Sequence, residues 1–209
     1  MKPSSGGKGE KRKEIALESL TPDRLEDFLG FFETAIPESE WGHRCYCAAF
    51  CAEDNSGEFG MEKPEVRKAA AVRYIREGSL RGYLAYEGGR VIGWCGANDR
   101  NACRKCFGVR WIVGAELPET DERGLSVFCF EIAPDMRGRG VASLLLDRVI
   151  SDARKGRYAF VEAYPAKKAE GEQENYAGPA ALYGKAGFEK SEEAENCYIF
   201  RKRTDFKAD

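Results

Sequence analysis

The residues best suited to chemistry lie together near the middle of the chain, in Phe128-Cys129-Phe130-Glu131-Ile132-Ala133-Pro134-Asp135-Met136-Arg137-Gly138-Arg139-Gly140-Val141-Ala142. Gly138 and Gly140 let the backbone turn tightly and leave no Cβ between its N–H groups and a ligand. Those N–H groups sit at the start of a helix, where unpaired donors and the macrodipole favour an anion such as a pyrophosphate. Arg137 and Arg139 add charge-assisted donors. The stretch is not a Walker A loop, because the Gly-Lys-Ser/Thr ending is missing. Nor is it a GxGxxG fingerprint, because no third glycine stands at the right offset. On turn chemistry alone, a plain strand-to-helix turn with solvated arginines explains the same residues equally well.

Glu131 is the candidate general base. Strand alternation puts Phe128, Phe130 and Ile132 on one face and Cys129, Glu131 and Ala133 on the other. A carboxylate desolvated in an apolar strand has a raised pKa, which suits a base. A surface or ion-paired glutamate is the even alternative. His43, the single histidine, lies in a segment without a recognisable pattern, and a lone loop histidine is more often inert.

These residues need elements to hold them. The apolar run Leu125–Ala133 reads as a strand broken by Pro134. Val141, Leu145, Val149 and Ala153 form one row of a helix from Gly140 to about Ala153. Tyr158–Ala163 reads as a further strand, Ala177–Ala186 as a short helix ended by Gly187, and Cys197–Phe200 as a last strand. Upstream, Glu14–Leu20 suits a first strand. Thr21 then serves as N-cap and Pro22 as first residue of a helix burying Leu25, Phe28, Leu29 and Phe32. Residues 34–64 are irregular, with a polar turn at Asp54-Asn55-Ser56-Gly57, and Glu65–Glu77 reads as a second helix. Tyr83–Tyr86 and Val91–Cys95 make a hairpin around Gly88-Gly89. Ala97 to about Arg110 reads as a loop. This order predicts an α/β (α+β) sandwich around one central sheet.

Two motifs then give a resemblance. Arg137-Gly138-Arg139-Gly140-Val141-Ala142 resembles the acetyl-CoA signature of the GNAT acetyltransferases, Arg/Gln-x-x-Gly-x-Gly/Ala, and Ile132-Ala133-Pro134 resembles the strand end before it. Ala181-Leu182-Tyr183-Gly184-Lys185-Ala186-Gly187-Phe188 is similar to that family's second helix end. The close match covers about residues 125–190. It implies a mixed central sheet splayed between strands 4 and 5, flanked by helices on both faces, with acetyl-CoA as cosubstrate in the split. By position, Ile132 and Ala133 would offer backbone groups to the pantetheine arm. Met136, Arg137, Gly138, Arg139, Gly140, Val141 and Ala142 would hold the pyrophosphate. Tyr183 matches the position that often protonates the leaving sulfur, with a packed aromatic as the alternative. The family often has an asparagine seven residues before that tyrosine. This chain departs from that pattern with Tyr176, which by position is the candidate cofactor contact there.

The resemblance implies an acetyltransferase acting by direct transfer to a primary amine, on a small-molecule or peptide acceptor. A non-catalytic acyl-CoA-binding sensor of the same fold is the alternative. An alkyl amine of pKa about 10.4 must lose a proton before it attacks a thioester, so a base is needed. The acceptor wall is expected from Thr34–Lys63 and Ala97–Arg110, where Trp41, Tyr46, Phe50 and Phe59 offer apolar surface. Glu38, Glu40, Glu53 and Asp54 would attract a cation. A lid or an oligomer contact is the alternative for these segments, and a homodimer is left open.

The 209 residues are 43% hydrophobic and 33% charged, with a formal net charge of −2, an ordinary globular mixture that argues against a nucleic-acid protein. No apolar run approaches the ~18 residues of a membrane span, and the first residues lack the apolar stretch of a secretory signal. The cytoplasm is therefore expected, with reduced cysteines. Residues 1–12 read as a flexible tail and 13–209 as a single domain. Four of Cys45, Cys47, Cys51, Cys103 and Cys106 would suffice for a tetrahedral zinc, but a single Cys-x-x-Cys is a weak signal. Free thiols and no metal are expected.

Overall fold

Alternating and continuous apolar runs close into one mixed sheet. In the computed structural model, residues 14–35, 44–52, 63–167 and 175–205 are described. The strands are β1 (Ile15–Ser19), β2 (Gly82–Glu87), β3 (Arg90–Asp99), β4 (Gly124–Ile132), β5 (Phe160–Ala163), β6 (Glu189–Glu193) and β7 (Tyr198–Arg203). They lie in the order β1-β2-β3-β4-β5-β7-β6. β1 to β4 form an antiparallel meander, β5 runs parallel to β4, and β7 returns antiparallel to β5. The helices are α1 (Leu25–Gly30), α2 (Pro64–Glu77), α3 (Arg100–Cys103), α4 (Phe107–Val113), α5 (Val141–Lys155) and α6 (Ala180–Lys185).

Both faces are covered. α5 buries Val141, Leu145, Leu146, Val149, Ile150 and Ala153, the row expected from their spacing. It comes so close to the sheet that a Cβ on Gly93 would stand 2.9 Å from Ile132 Cδ1 and 3.0 Å from Val141 Cγ1. On the other face, Phe28 of α1 meets Trp94 of β3 edge-on at 4.9 Å, both fully buried.

β4 carries the irregularity that shapes the site. Its ladder with β3 runs as far as Ile132↔Gly93, with a register shift between Gly96 and Ala97 that leaves Phe128 as an extra residue. Such a bulge breaks strict alternation. Phe128 turns to stack on Phe50 at 4.9 Å and on Tyr164 at 5.4 Å. It therefore leaves the face of Phe130 and Ile132 on which alternation had placed it. The parallel ladder with β5 stops at Val127↔Ala163, beside the bulge. From there β4 and β5 part, which is the splay expected between strands 4 and 5.

Three local readings change. β6 was not expected, because Glu189-Lys190-Ser191-Glu192-Glu193 is exposed throughout and has no apolar alternation; pairing with β7 makes it a strand. The stretch from Ala97, read as a loop, is the end of β3 followed by α3 and α4. There the Asp99 carboxylate accepts the N–H groups of Asn101 at 3.1 Å and Ala102 at 3.3 Å, an N-cap. Thr21 makes no cap bond; its hydroxyl accepts from Arg24 Nη1 at 3.0 Å. The expected tail, His43 and the Asp54–Gly57 turn lie outside the described residues.

Where β4 and β5 do pair, a buried ionic cluster ties β5 to α3 and β7. The fully buried Glu162 carboxylate accepts from Arg100 Nε at 3.0 Å, Tyr164 Oη at 2.7 Å and Arg201 Nη2 at 2.6 Å. Removing one partner of such a cluster strands the others in low dielectric. Glu162→Ala is accordingly expected to cost about 3–5 kcal/mol in equilibrium urea unfolding. A loss under about 1 kcal/mol, the surface-pair range, would show the cluster to be dispensable.

Candidate active site

Past Val127, β4 has a strand on one side only. The N–H of Phe130, directed to the β5 side, donates to the Tyr176 carbonyl at 2.6 Å. Antiparallel alternation turns the N–H of Ile132 to the same side, while Ala133 turns back and donates to the Ile92 carbonyl at 3.0 Å. Pro134–Met136 makes one 3-10 turn, and the chain then passes through Gly138 at φ 71° and Gly140 at φ 86°. Glycine takes these conformations without strain. The first bond closing α5 runs from Leu144 N–H to the Gly140 carbonyl at 3.1 Å. Val141, Ala142 and Ser143 therefore present N–H groups that the helix itself cannot satisfy.

This loop fits a pyrophosphate. A Cβ on Gly138 or Gly140 would meet nothing within 4 Å, so the space over the amides is open. Arg137 Nε reaches the Ile132 carbonyl at 3.4 Å. Arg139 stands 3.7 Å from Glu87 and donates to Met136 Sδ at 2.9 Å. Arg90 and Asp135 pair at 2.6 Å and brace the turn. Met136, Val141 and Ala133 have buried side chains, so only their backbones can face a ligand. Ala142 is half-buried. Tyr176 gives its carbonyl to β4, and burial pushes its phenol up to about 12.

Glu131 and Tyr183 approach the split from different sides. Glu131 pairs with Trp94 across β3–β4 and shares the face of α1. It is half-buried, and desolvation, opposed by Arg137, pushes its carboxyl up to about 7. Tyr183 is fully buried and donates its hydroxyl to the Ala177 carbonyl. Its hydroxyl would lie 3.1 Å, and the Phe130 ring 3.3 Å, from a Cβ on Gly178. It thus sits by the residue before Glu131, whose side chain takes the opposite face. Burial holds its phenol well above the usual range, so it carries its proton at neutral pH.

Beside Glu131 lies a set of thiols. Cys47 accepts the Trp94 indole N–H at 3.1 Å and is hydrogen-bonded to both Cys45 and Cys129, and the Cys45 and Cys129 thiols both feel the Glu131 charge. The hydrogen bond with Cys47, then burial, raises Cys45 well above the ordinary thiol range, so it stays protonated. Cys51 interacts instead with Cys106 and Cys103. The five cysteines weighed for zinc thus fall into two separate groups. Among the described residues, no group of three or more His, Cys, Asp or Glu is placed to hold a metal.

The two segments expected to form the acceptor wall do meet. Phe107 N–H donates to the Ala52 carbonyl at 3.4 Å, and Phe50 lies so close to Gly108 that a Cβ there would clash at 2.6 Å. Trp41, Phe59, Glu38, Glu40, Glu53 and Asp54 lie outside the described residues. Two neighbours of the site gave no usable signal in sequence. Cys45 drew attention only as a metal ligand. Arg67 looked like Arg73 and Arg76 on the same helix, yet it is 1% exposed, with Nε donating to the Arg44 carbonyl at 2.5 Å.

The geometry is a splayed mixed sheet with an open glycine turn at the start of α5, and the comparisons give the same fold. Residues 48–188 match the profile of the Acetyltransferase (GNAT) family, more than half of the chain. The chain belongs to the GNAT acetyltransferase family. No curated protein matches it in sequence. Among solved structures it is similar to the GNAT domain of S. lividans PAT, with 17% identity, 90% of each chain covered and a TM-score of 0.56. It is also similar to the PaiA N-acetyltransferase of Thermoplasma acidophilum in complex with coenzyme A, with 14% identity, TM-score 0.53, and 91% of this chain and 99% of that one covered. An acetyltransferase of the GNAT family from Streptococcus pneumoniae matches with 14% identity, the same coverages and a TM-score of 0.52. At these identities the likenesses establish the GNAT fold and say nothing of the acceptor. No helix among the described residues is long and apolar enough to cross a membrane.

The loop yields a direct test. A β-branched residue at Gly140 would hold φ 86° only at a cost of about 1–2 kcal/mol, and its side chain would enter the open space over the amides. Gly140→Val is expected to weaken coenzyme A binding about 10-fold or more in calorimetry. Unchanged affinity would place the cofactor elsewhere.

Proposed function

We propose that this GNAT acetyltransferase is an N-acetyltransferase that moves the acetyl group of acetyl-CoA directly to a primary amine. Glu131 acts as general base and Tyr183 as general acid. The observation that carries the reading is Glu131, a carboxyl pushed up to about 7 at the mouth of the split. A module that only binds a ligand has no need of a base tuned to neutral pH.

The fit of the loop supports acetyl-CoA held by the N–H of Ile132, by the amides of Gly138, Gly140, Val141 and Ala142, and by the side chains of Arg137 and Arg139. The backbone groups of Ala133 and the N–H groups of Met136, Arg137 and Arg139 are instead taken up by Ile92 and by closing the turn. When bound, it supplies the acetyl group and leaves with its thiol. The amine arrives as an ammonium ion and must be neutral to attack. Glu131 accepts that proton, directly or through one water, because near pH 7 its carboxylate is well populated and still basic enough to hold a proton. Tyr183 keeps its proton and gives it at the sulfur end of the split. To do so its hydroxyl must release the Ala177 carbonyl, its present acceptor. Tyr176, through its carbonyl on Phe130, shapes the wall between the two.

Two measurements test these roles. The base works only when deprotonated, so kcat/KM should rise with pH, reach half its plateau near pH 7 and stand near one tenth of it one unit lower. Glu131→Gln should lower kcat about 10²–10⁴-fold and abolish that limb. An unchanged profile would remove Glu131 from the chemistry. Tyr183→Phe should cost kcat about 10²–10⁴-fold with acetyl-CoA affinity kept in calorimetry, whereas wild-type kcat would make the tyrosine packing alone.

A further inference from the structure

Arg67 is a buried cation whose partners stop short of its hydrogen-bonding capacity. It lies on α2 with 1% exposure. Its Nε donates to the Arg44 carbonyl at 2.5 Å. Nη1 and Nη2 are buried with no hydrogen-bond partner among the described residues. Burial lowers its pKa, yet a guanidinium stays charged in proteins. Glu65, its acidic neighbour on the same helix, makes no ion pair with it among the described residues. Buried donors normally find acceptors, and an unsatisfied set calls for an explanation.

Its position supplies one. The bond to Arg44 fixes the guanidinium beneath the start of the 44–52 segment, and its charge acts on Cys45 and Tyr46. Two residues on, Cys47 accepts the Trp94 indole N–H at 3.1 Å, and Trp94 pairs with Glu131 across β3–β4. The 44–52 segment therefore connects this unsatisfied cation to the strand pair that carries the proposed base. The two free NH2 groups of the guanidinium form a planar fork matched to a carboxylate. A single buried monocation is neutralised by one carboxylate, whereas a phosphate monoester dianion would leave a charge uncompensated.

We propose that Arg67 receives the carboxylate of the acceptor through Nη1 and Nη2, so that the acceptor is an amine that also bears a carboxylate. The cation binds one end of the acceptor while Glu131 takes the proton from the other. This rests on the N-acetyltransferase reading above and narrows its substrate class. The carboxylate can belong to a free amino acid or to an acidic residue near a peptide's amino end.

The test compares matched acceptors on the full-length protein with acetyl-CoA, followed by release of the coenzyme A thiol. One arm pairs amino acids from glycine to 6-aminohexanoate with their carboxamides. The other pairs C-terminally amidated peptides beginning Ala-Glu with the same peptides beginning Ala-Gln. In one of the arms the acid should exceed its amide in kcat/KM by about 30-fold or more, mostly through KM, and that arm identifies the source. Arg67→Gln should bring the ratio close to one, and Arg67→Lys should restore part of it. Equal turnover of acids and amides by the wild-type protein overturns the proposal while leaving N-acetyl transfer intact, and needs no variant to fold. A ratio that survives Arg67→Gln overturns it too. If no amine releases thiol although calorimetry shows acetyl-CoA bound, the N-acetyltransferase reading falls and this inference with it.

Discussion

Beyond Val127 the backbone of β4 faces β5 with amides that no strand pairs, and buried amides must find acceptors. In a regular sheet the β5 ladder would supply them. Here the ladder ends beside the extra residue Phe128, and a bulge bends and twists a strand at that point. One amide, that of Phe130, is taken by the Tyr176 carbonyl. The next on that side, at Ile132, opens toward the loop. The glycine turn and the start of α5 follow within a few residues, so amides from a strand and from a helix converge on the same space. The proposed cofactor site thus follows from a sheet that stops pairing.

The same strand divides the proposed chemistry. Phe130 and Glu131 are neighbours in sequence and point to opposite faces, so Tyr183 and Glu131 reach the split without meeting each other. The environment of Glu131 is built largely from groups that do not ionise near neutrality: Trp94, and the thiols of Cys45, Cys47 and Cys129. Holding those thiols there is costly. Tyr46 and Cys47 both adopt positive φ, 48° and 49°, a region that costs non-glycine residues about 1–2 kcal/mol each. The indole bond from Trp94 to Cys47 and the burial of both residues keep the backbone in place. Strain of this kind commonly gathers at functional sites.

The legible part of the chain was the part governed by local rules. The α5 row announced itself by its i+4 spacing, and the glycines of the loop by their place between a strand and that helix. Both lie where spacing put them. β6 was illegible because an exposed edge strand needs no apolar alternation, only a partner. Asp99 was missed as a cap because β3 was ended four residues early, at Cys95. The bulge at Phe128 left no mark, since an extra apolar residue in an apolar strand looks like any other. Arg67 shows the limit most clearly: three arginines share one helix, and only packing tells which of them is buried.

The half-buried Glu131 also bears on the stability of the protein as a whole. Its carboxyl titrates near 7 in the folded chain, against an ordinary value of 4.5. Below the ordinary value both folded and unfolded chains are protonated, and the group is neutral in the balance between them. Between 4.5 and 7 the unfolded chain gives up the proton first, so folding loses ground as the pH rises, and above 7 the whole penalty is present. The carboxylate therefore weakens the native state most under the conditions in which it is ionised and could serve as the proposed base. A ligand that brings a positive charge to that face relieves part of the strain, so the molecule should be firmest when its amine is bound.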